Sequence, residues 1–111
     1  MYKETSIKDV KITGGLLHEK SMLAAGKTIP YIKKALNDEI EGIEPSGAFE
    51  NFRIAAGESD REFYGLVSQD SDVYKWMEAA ALALQYENQE TLAAFDEAAD
   101  LLKRAQQKTD I

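Results

Sequence analysis

The sequence has no cysteine, which excludes a disulfide framework, a cysteine-bearing metal site and thiolate catalysis within these 111 residues. It leaves the redox compartment open. The single histidine, His18, has no Asp or Cys at triad or ligand spacing, so it reads as a surface helix residue. The longest apolar run, Ala79 to Leu84, is far short of the ~20 residues that cross a bilayer. Met1-Tyr2-Lys3-Glu4-Thr5 offers no apolar stretch behind its charges, so no secretory signal is read and a cytoplasmic location is expected. Basic residues are scarce beyond residue 34. Residues 1–34 carry seven lysines against three acids, a net of +4, while residues 35–111 carry a net of −11. The lysines carry little arginine or aromatic interleaving, and the rest of the chain would repel phosphate. Neither a nucleic-acid partner nor a membrane is expected.

What is present is helical. A length of 111 residues allows one domain with one modest core. Val10 and Ile12 alternate with polar neighbours over residues 7–13, which predicts a half-buried strand or an extended arm over residues 1–15. Gly14-Gly15 breaks the chain. From Leu16 the apolar spacing predicts a long helix to about Glu41, interrupted at Pro30 and closed by Gly42 and Pro45. Ser46 to Gly57 reads as a short helix with Ser46 as N-cap and Gly57 as its stop. Residues 58–69 read as a loop whose Phe63, Tyr64, Leu66 and Val67 pack down. Asp70-Ser71-Asp72 offers capping oxygens and first-turn negative charge to a helix with the stripe Val73, Trp76, Met77, Ala80, Leu84. Asn88 caps another, with the stripe Leu92, Phe95, Ala99, Leu102. The short connection makes these two an antiparallel hairpin, and their many alanines permit close contact. The fold class is all-α, with about four helices over residues 16–108.

Little in the spacing selects a catalytic centre. The twenty carboxylates allow many acid pairs, but Asp38-Glu39-Glu41 and Asp96-Glu97-Asp100 read as solvated helix faces. Asp72 and Lys75 can pair on one helix face, and Trp76 sits on the apolar stripe as a core residue.

Residues 51–79 read NFRIAAGESDREFYGLVSQDSDVYKWMEA. Asn51-Phe52-Arg53, Ala55-Ala56-Gly57, the Phe63-x-Gly65 spacing and Gln69-Asp70-Ser71-Asp72-Val73-Tyr74-Lys75-Trp76 together resemble the N-terminal signature of glycoside hydrolase family 127, the β-L-arabinofuranosidases. Ile29-Pro30-Tyr31, Asn37-Asp38-Glu39-Ile40 and Ala105-Gln106-Gln107 extend the likeness from about Val10 to Gln107. The resemblance implies an (α/α)6-barrel catalytic domain that releases terminal β-L-arabinofuranosyl groups with retention. It implies a zinc-bound cysteine nucleophile and a glutamate acid/base, all downstream of this segment, so no metal or catalytic residue is assigned here. The start of the helix near Asp70 is the expected pocket wall, with Asp70, Asp72, Lys75 and Trp76 as the candidate sugar-shaping residues.

Length then decides a question. Twelve barrel helices need on the order of 200 residues. Four helical segments cannot close that barrel, so the chain reads as an N-terminal piece, inactive alone. Its expected partner is the rest of the catalytic domain, or failing that a second copy, because stripes meant for absent neighbours promote association. The competing reading is a small acidic all-α interaction module without catalysis. The DNA after codon 111 separates the two: a continuing frame with Asp-Gly-Tyr-Leu and later cysteines supports the first.

Overall fold

The computed structural model describes residues 2–86 and 88–109. Helices carry it, and no strand occurs among the described residues. The segment expected as a half-buried strand or arm instead begins with a 3-10 turn, Ile7–Asp9, capped by Ser6. Val10 is extended, yet Val10 and Ile12 both stay exposed. Two alternating residues without a partner strand have no ladder to join. His18 tethers this arm, its Nδ1–H donating to the Ile12 carbonyl at 2.8 Å. The arm ends where α1 begins, at Gly15.

Helix α1 (Gly15–Leu23), a π turn (Ala24–Thr28) and α2 (Ile29–Leu36) follow without a break. A proline inside an α-helix collides with the carbonyl four residues back and removes one bond. Here the chain widens first: Ile29 N–H reaches five residues back to the Ala24 carbonyl. Pro30 has no N–H for the next carbonyl in that register, Ala25. Asn88 Nδ2 donates to it instead, at 3.4 Å. The interruption expected at Pro30 is therefore a π turn ahead of it.

The long helix stops at Leu36, not near Glu41. Asp38 adopts a left-handed backbone (φ 59°), Asp38 N–H bonds to Ala35 O, and Glu39 N–H bonds to Lys34 O at 2.9 Å. That is a Schellman ending with aspartate where glycine is usual. The Asp38 carboxylate then accepts from Ser46 N–H at 2.5 Å and from Gly47 N–H at 3.1 Å, closing the turn into α3. Local side-chain bonding to the backbone outcompetes further helix.

Helix α3 (Ala48–Ala55) is shorter than the expected span; its N-cap position is Gly47, with no side-chain cap, and not the expected Ser46, while its carboxyl end is the expected one. Ser46 Oγ accepts from Ala48 N–H at 3.2 Å, and a second Schellman bond, Glu58 N–H to Arg53 O at 2.8 Å, stops it at Gly57. Helix α4 (Asp70–Ala83) lacks the expected side-chain cap. Its N-cap position is Gln69, and Ser71 Oγ donates to Ser68 O at 2.8 Å. Asp70 and Asp72 lie in the first turn, where the dipole favours them. A 3-10 turn (Leu84–Tyr86) leads to α5 (Gln89–Thr109), capped as expected by Asn88 Oδ1 from Thr91 N–H at 3.1 Å.

Val73, Trp76, Ala80 and Ala83 of α4 form the centre of the core, against Ala98 and Leu101 of α5, Ala25 and Ile29, and Ala48 and Phe49. The α4 stripe matches the expected one through Ala80, with Met77 partly buried; its last buried position is Ala83, and Leu84 falls in the 3-10 turn. The α5 stripe does not: the buried positions are Thr91, Ala98, Leu101 and Ala105, each one residue before or several away from the expected Leu92, Ala99 and Leu102. Helix α5 packs on both α3 and α4. Its small residues let the α4 backbone close in, while Phe95 and Leu102 pack at the edge. No helix among the described residues is long and apolar enough to cross a membrane.

Candidate functional site

A cleft of about 400 Å³ opens where α3, the 58–69 loop and the first residue of α4 meet. Polar bonds to the backbone build it. Asn51 on α3 grips Tyr64 twice: Nδ2 donates to the Tyr64 carbonyl at 2.6 Å, and Oδ1 accepts the Tyr64 N–H at 3.0 Å. Gln69 accepts from Leu66 N–H at 3.3 Å and donates to Ser46 Oγ at 3.0 Å. Two glycines permit this closeness. A Cβ on Gly47 would stand 3.2 Å from the Tyr64 carbonyl oxygen, and one on Gly65 would stand 3.1 Å from the Ser46 carbonyl oxygen. Both also hold positive φ, which side chains resist.

The loop backbone is pinned, but its apolar side chains do not pack down. Phe63, Tyr64, Leu66 and Val67 are all more than half exposed. This corrects the expectation from sequence. Asn51 and Gln69 hold the loop through the Tyr64 and Leu66 backbone groups and not through buried apolar side chains. Those side chains, with Phe52 and Ala55, give the cleft its apolar lining.

Asp70 stands at the edge of the cleft, beside Tyr74. Burial, then the charge and hydrogen bond of Asp70, hold the Tyr74 phenol above its ordinary value, so it stays a neutral donor. The Tyr74 ring leans on Phe52, centroids 6.0 Å apart. Behind α3, Arg53 bonds both Glu50, at 3.2 Å, and the Asn37 side-chain oxygen. The Ser59 hydroxyl first, and Arg53 after it, hold Glu50 below the usual carboxylate range. Aromatic faces beside a carboxylate suit the C–H face and hydroxyls of a sugar ring. They supply no nucleophile paired with a base.

The four residues singled out from sequence do not gather at one place. Asp70 lines this cleft. Asp72 and Lys75 are exposed on α4 and line neither it nor the cavity described next. Trp76 lies in the core, 4% exposed, its Nε1–H donating to the Ile29 carbonyl at 2.9 Å and its ring edge-on to Phe49 at 6.2 Å. On its other side Trp76 lines a second cavity of about 310 Å³ between α2 and α5. There Lys33 meets Glu97 at 3.0 Å, and Thr91 contributes a buried hydroxyl.

The zinc chemistry that the resemblance implies does not fit these residues. The chain has no thiolate donor, His18 is its single imidazole, and no group of three metal-binding side chains gathers among the described residues.

Asn51, Gln69, Lys33 and Thr91 were not singled out as site residues. Asn51 acts on a residue 13 positions away and Lys33 on one 64 away, and no local pattern encodes such pairings.

The family model described as "Beta-L-arabinofuranosidase, GH127 catalytic domain" matches residues 9–110. A non-reducing end β-L-arabinofuranosidase of Bifidobacterium longum subsp. longum is 41% identical over 89% of this chain, which spans 17% of that relative's length. The crystal structure of a GH127 β-L-arabinofuranosidase from Geobacillus stearothermophilus T6 superimposes with a TM-score of 0.82 at 47% identity, over 86% of this chain and 15% of that one.

Proposed function

Because the chain belongs to the GH127 β-L-arabinofuranosidase catalytic-domain family, we propose that it serves as the N-terminal segment of a domain that hydrolyses terminal β-L-arabinofuranosides. The observation that carries this reading is a family match over residues 9–110 joined to a TM-score of 0.82 on a solved GH127 β-L-arabinofuranosidase. In this reading the residues that break the glycosidic bond lie outside these 111, because the family's thiolate nucleophile requires a cysteine. The segment's contribution is structural and, at the cleft, substrate-facing: Asp70 accepts from a sugar hydroxyl while the Phe63 and Tyr64 rings flank the ring's apolar face.

The remainder of the domain is the proposed partner of the uncovered helix. None of the nine residues of α1 is buried, and Leu16 and Leu17 are 66% and 68% exposed. Exposed leucines on a helix that buries no residue suit a partner surface. Segments of the first barrel layers are the natural occupant, given how small a share of its relatives the chain spans.

A chimera tests the proposal. Residues 1–111 replace the matching segment of the Geobacillus enzyme, and the product is assayed on an aryl β-L-arabinofuranoside. Release of L-arabinose is expected from the chimera and none from the 111-residue chain alone. A chimera that folds but hydrolyses nothing overturns the reading, as does release by the isolated chain.

A further inference from the structure

We propose that the apolar wall of the cleft at α3, formed by Phe52, Ala55, Leu66 and Val67, receives the leaving group of the glycoside and selects a neutral aromatic one. This rests on the reading of the cleft as substrate-facing and adds which part of the substrate the wall takes. The argument starts from the cleft's hydrogen bonds. Asn51 spends its Oδ1 and Nδ2 on the Tyr64 backbone, and Gln69 spends its Oε1 on Leu66 N–H and its Nε2 on Ser46 Oγ. The polar side-chain groups left along the lining are the Asp70 carboxylate and the Tyr64 hydroxyl. A sugar carries hydroxyls around its ring, and each one taken from water without a partner costs free energy. Asp70 with the Phe63 and Tyr64 rings can serve one sugar face. The Phe52, Ala55, Leu66 and Val67 side chains have nothing to offer a hydroxyl.

What they offer is apolar surface on a fixed frame. Leu66 and Val67 are more than three-quarters exposed, so a ligand reaches them from solvent without any opening of the fold. Asn51 and Gln69 hold the loop backbone, so these side chains are in place before a ligand arrives. Phe52 already leans on Tyr74, centroids 6.0 Å apart, and another ring packed on it extends an aromatic cluster. Charge narrows the class further. Among the described residues no lysine or arginine lines the cleft, Asp70 stands at its edge, and Asp72 follows in the same helical turn. An anionic group would be repelled. The volume of about 400 Å³ lies within the range of small-molecule sites and admits an aryl group.

Methyl NMR tests this on the 111-residue chain. The probe is 4-methylphenol, neutral and free of sugar, titrated to about 20 mM, a range that captures millimolar affinity. Saturable shifts of the Ala55, Leu66 and Val67 methyl signals are expected. 4-Hydroxybenzoate, a similar ring with a carboxylate, should bind at least about fivefold more weakly, and L-arabinose should leave these signals in place. Leu66→Ser and Val67→Ser should each weaken binding of 4-methylphenol at least about fivefold. Both positions are exposed, so both variants should keep the parent's circular dichroism. In the Geobacillus chimera the same substitutions should lower kcat/KM on 4-methylphenyl β-L-arabinofuranoside, relative to the methyl glycoside, by a like factor. Four outcomes overturn the proposal. One is no shift at the top of the titration. The second is binding that neither variant weakens. The third is 4-hydroxybenzoate or L-arabinose moving these methyls as strongly as 4-methylphenol does. The fourth is a ratio of the two glycosides that the substitutions leave unchanged in an active chimera. A chimera that hydrolyses neither glycoside overturns the catalytic reading instead, while the titration of the chain alone still decides whether the wall takes an aromatic group.

Discussion

Trp76 Nε1 donates to the Ile29 carbonyl at 2.9 Å, a fully buried bond between residues 47 apart in the chain. It ties α4 to the long amino-terminal helix at the point where that helix returns from π to α winding. The indole thus fills core and fixes register together, since its ring also meets Phe49 of α3 edge-on. Trp76→Phe keeps an aromatic ring but leaves the Ile29 side of the contact without its donor. Loss of that bond and of indole volume should cost about 2–4 kcal/mol. Urea unfolding followed by far-UV circular dichroism measures it, and an unchanged midpoint would show that the bond carries no weight.

The carboxyl end of the core gives a sharper contrast. Leu101 is 5% exposed and Leu92 is 38% exposed, although the sequence pattern favours the latter. Leu101→Ala should therefore destabilise by about 2–5 kcal/mol, and Leu92→Ala by less than about 1 kcal/mol. Equal losses, read from the same unfolding curves, would restore the pattern drawn from sequence.

Why α4 was legible and α5 was not follows from their neighbours. Val73, Trp76 and Ala80 are large or central enough that spacing alone marks the buried face. On α5 three of the four buried positions, Thr91, Ala98 and Ala105, are too small or too polar to announce themselves, and Leu101 stands beside an equally apolar Leu102. Close approach to two helices, not hydrophobicity, selects them. The cleft shows the same division. The Asp70 position was readable as a helix start, while Asn51 and Gln69 act through bonds to a loop backbone whose path no spacing specifies. The helix end at Leu36 was missed because a left-handed aspartate is uncommon, and its reward lies nine residues on at Gly47.

Acid should loosen the α3 region first. The Ser59 hydroxyl and Arg53 hold Glu50 below the ordinary value of 4.5, and a hydrogen bond from Arg104, at 2.7 Å, does the same for Glu58. A carboxylate whose folded value is depressed adds stability that is present above the unfolded value. That stability is lost as pH falls through the folded one. The thermal midpoint should thus decline as pH drops below about 4.5, and Glu50→Gln with Glu58→Gln should flatten that decline. Both groups meet solvent, so the effect is modest and shrinks with added salt. Tyr74 works in the opposite direction. Partial burial and then Asp70 raise it above 10.0, so its contribution, small for a half-exposed ring, is present below that pH and lost as pH climbs through its folded value. Tyr74→Phe should remove this alkaline limb, which circular dichroism melts between pH 9 and about 12 would follow.

Asn88 holds two ends at once, and a double-mutant cycle can separate them. Its Oδ1 caps α5 through Thr91 N–H at 3.1 Å, and its Nδ2 reaches the Ala25 carbonyl at 3.4 Å. The first bond is short and sits at a helix start. The second is long and exists because Pro30 has no N–H to offer. Asn88→Ala should cost about 1–2 kcal/mol, the usual worth of an N-cap. Asn88→Asp keeps the cap and favours the dipole, so it should recover most of that loss despite giving up the donor. Pro30→Ala returns an N–H to the long helix within reach of Ala25. If Ala25 is the shared acceptor, Asn88→Ala should cost less in the Pro30→Ala background than in the parent. Strictly additive costs would show that the proline and the asparagine act on different groups.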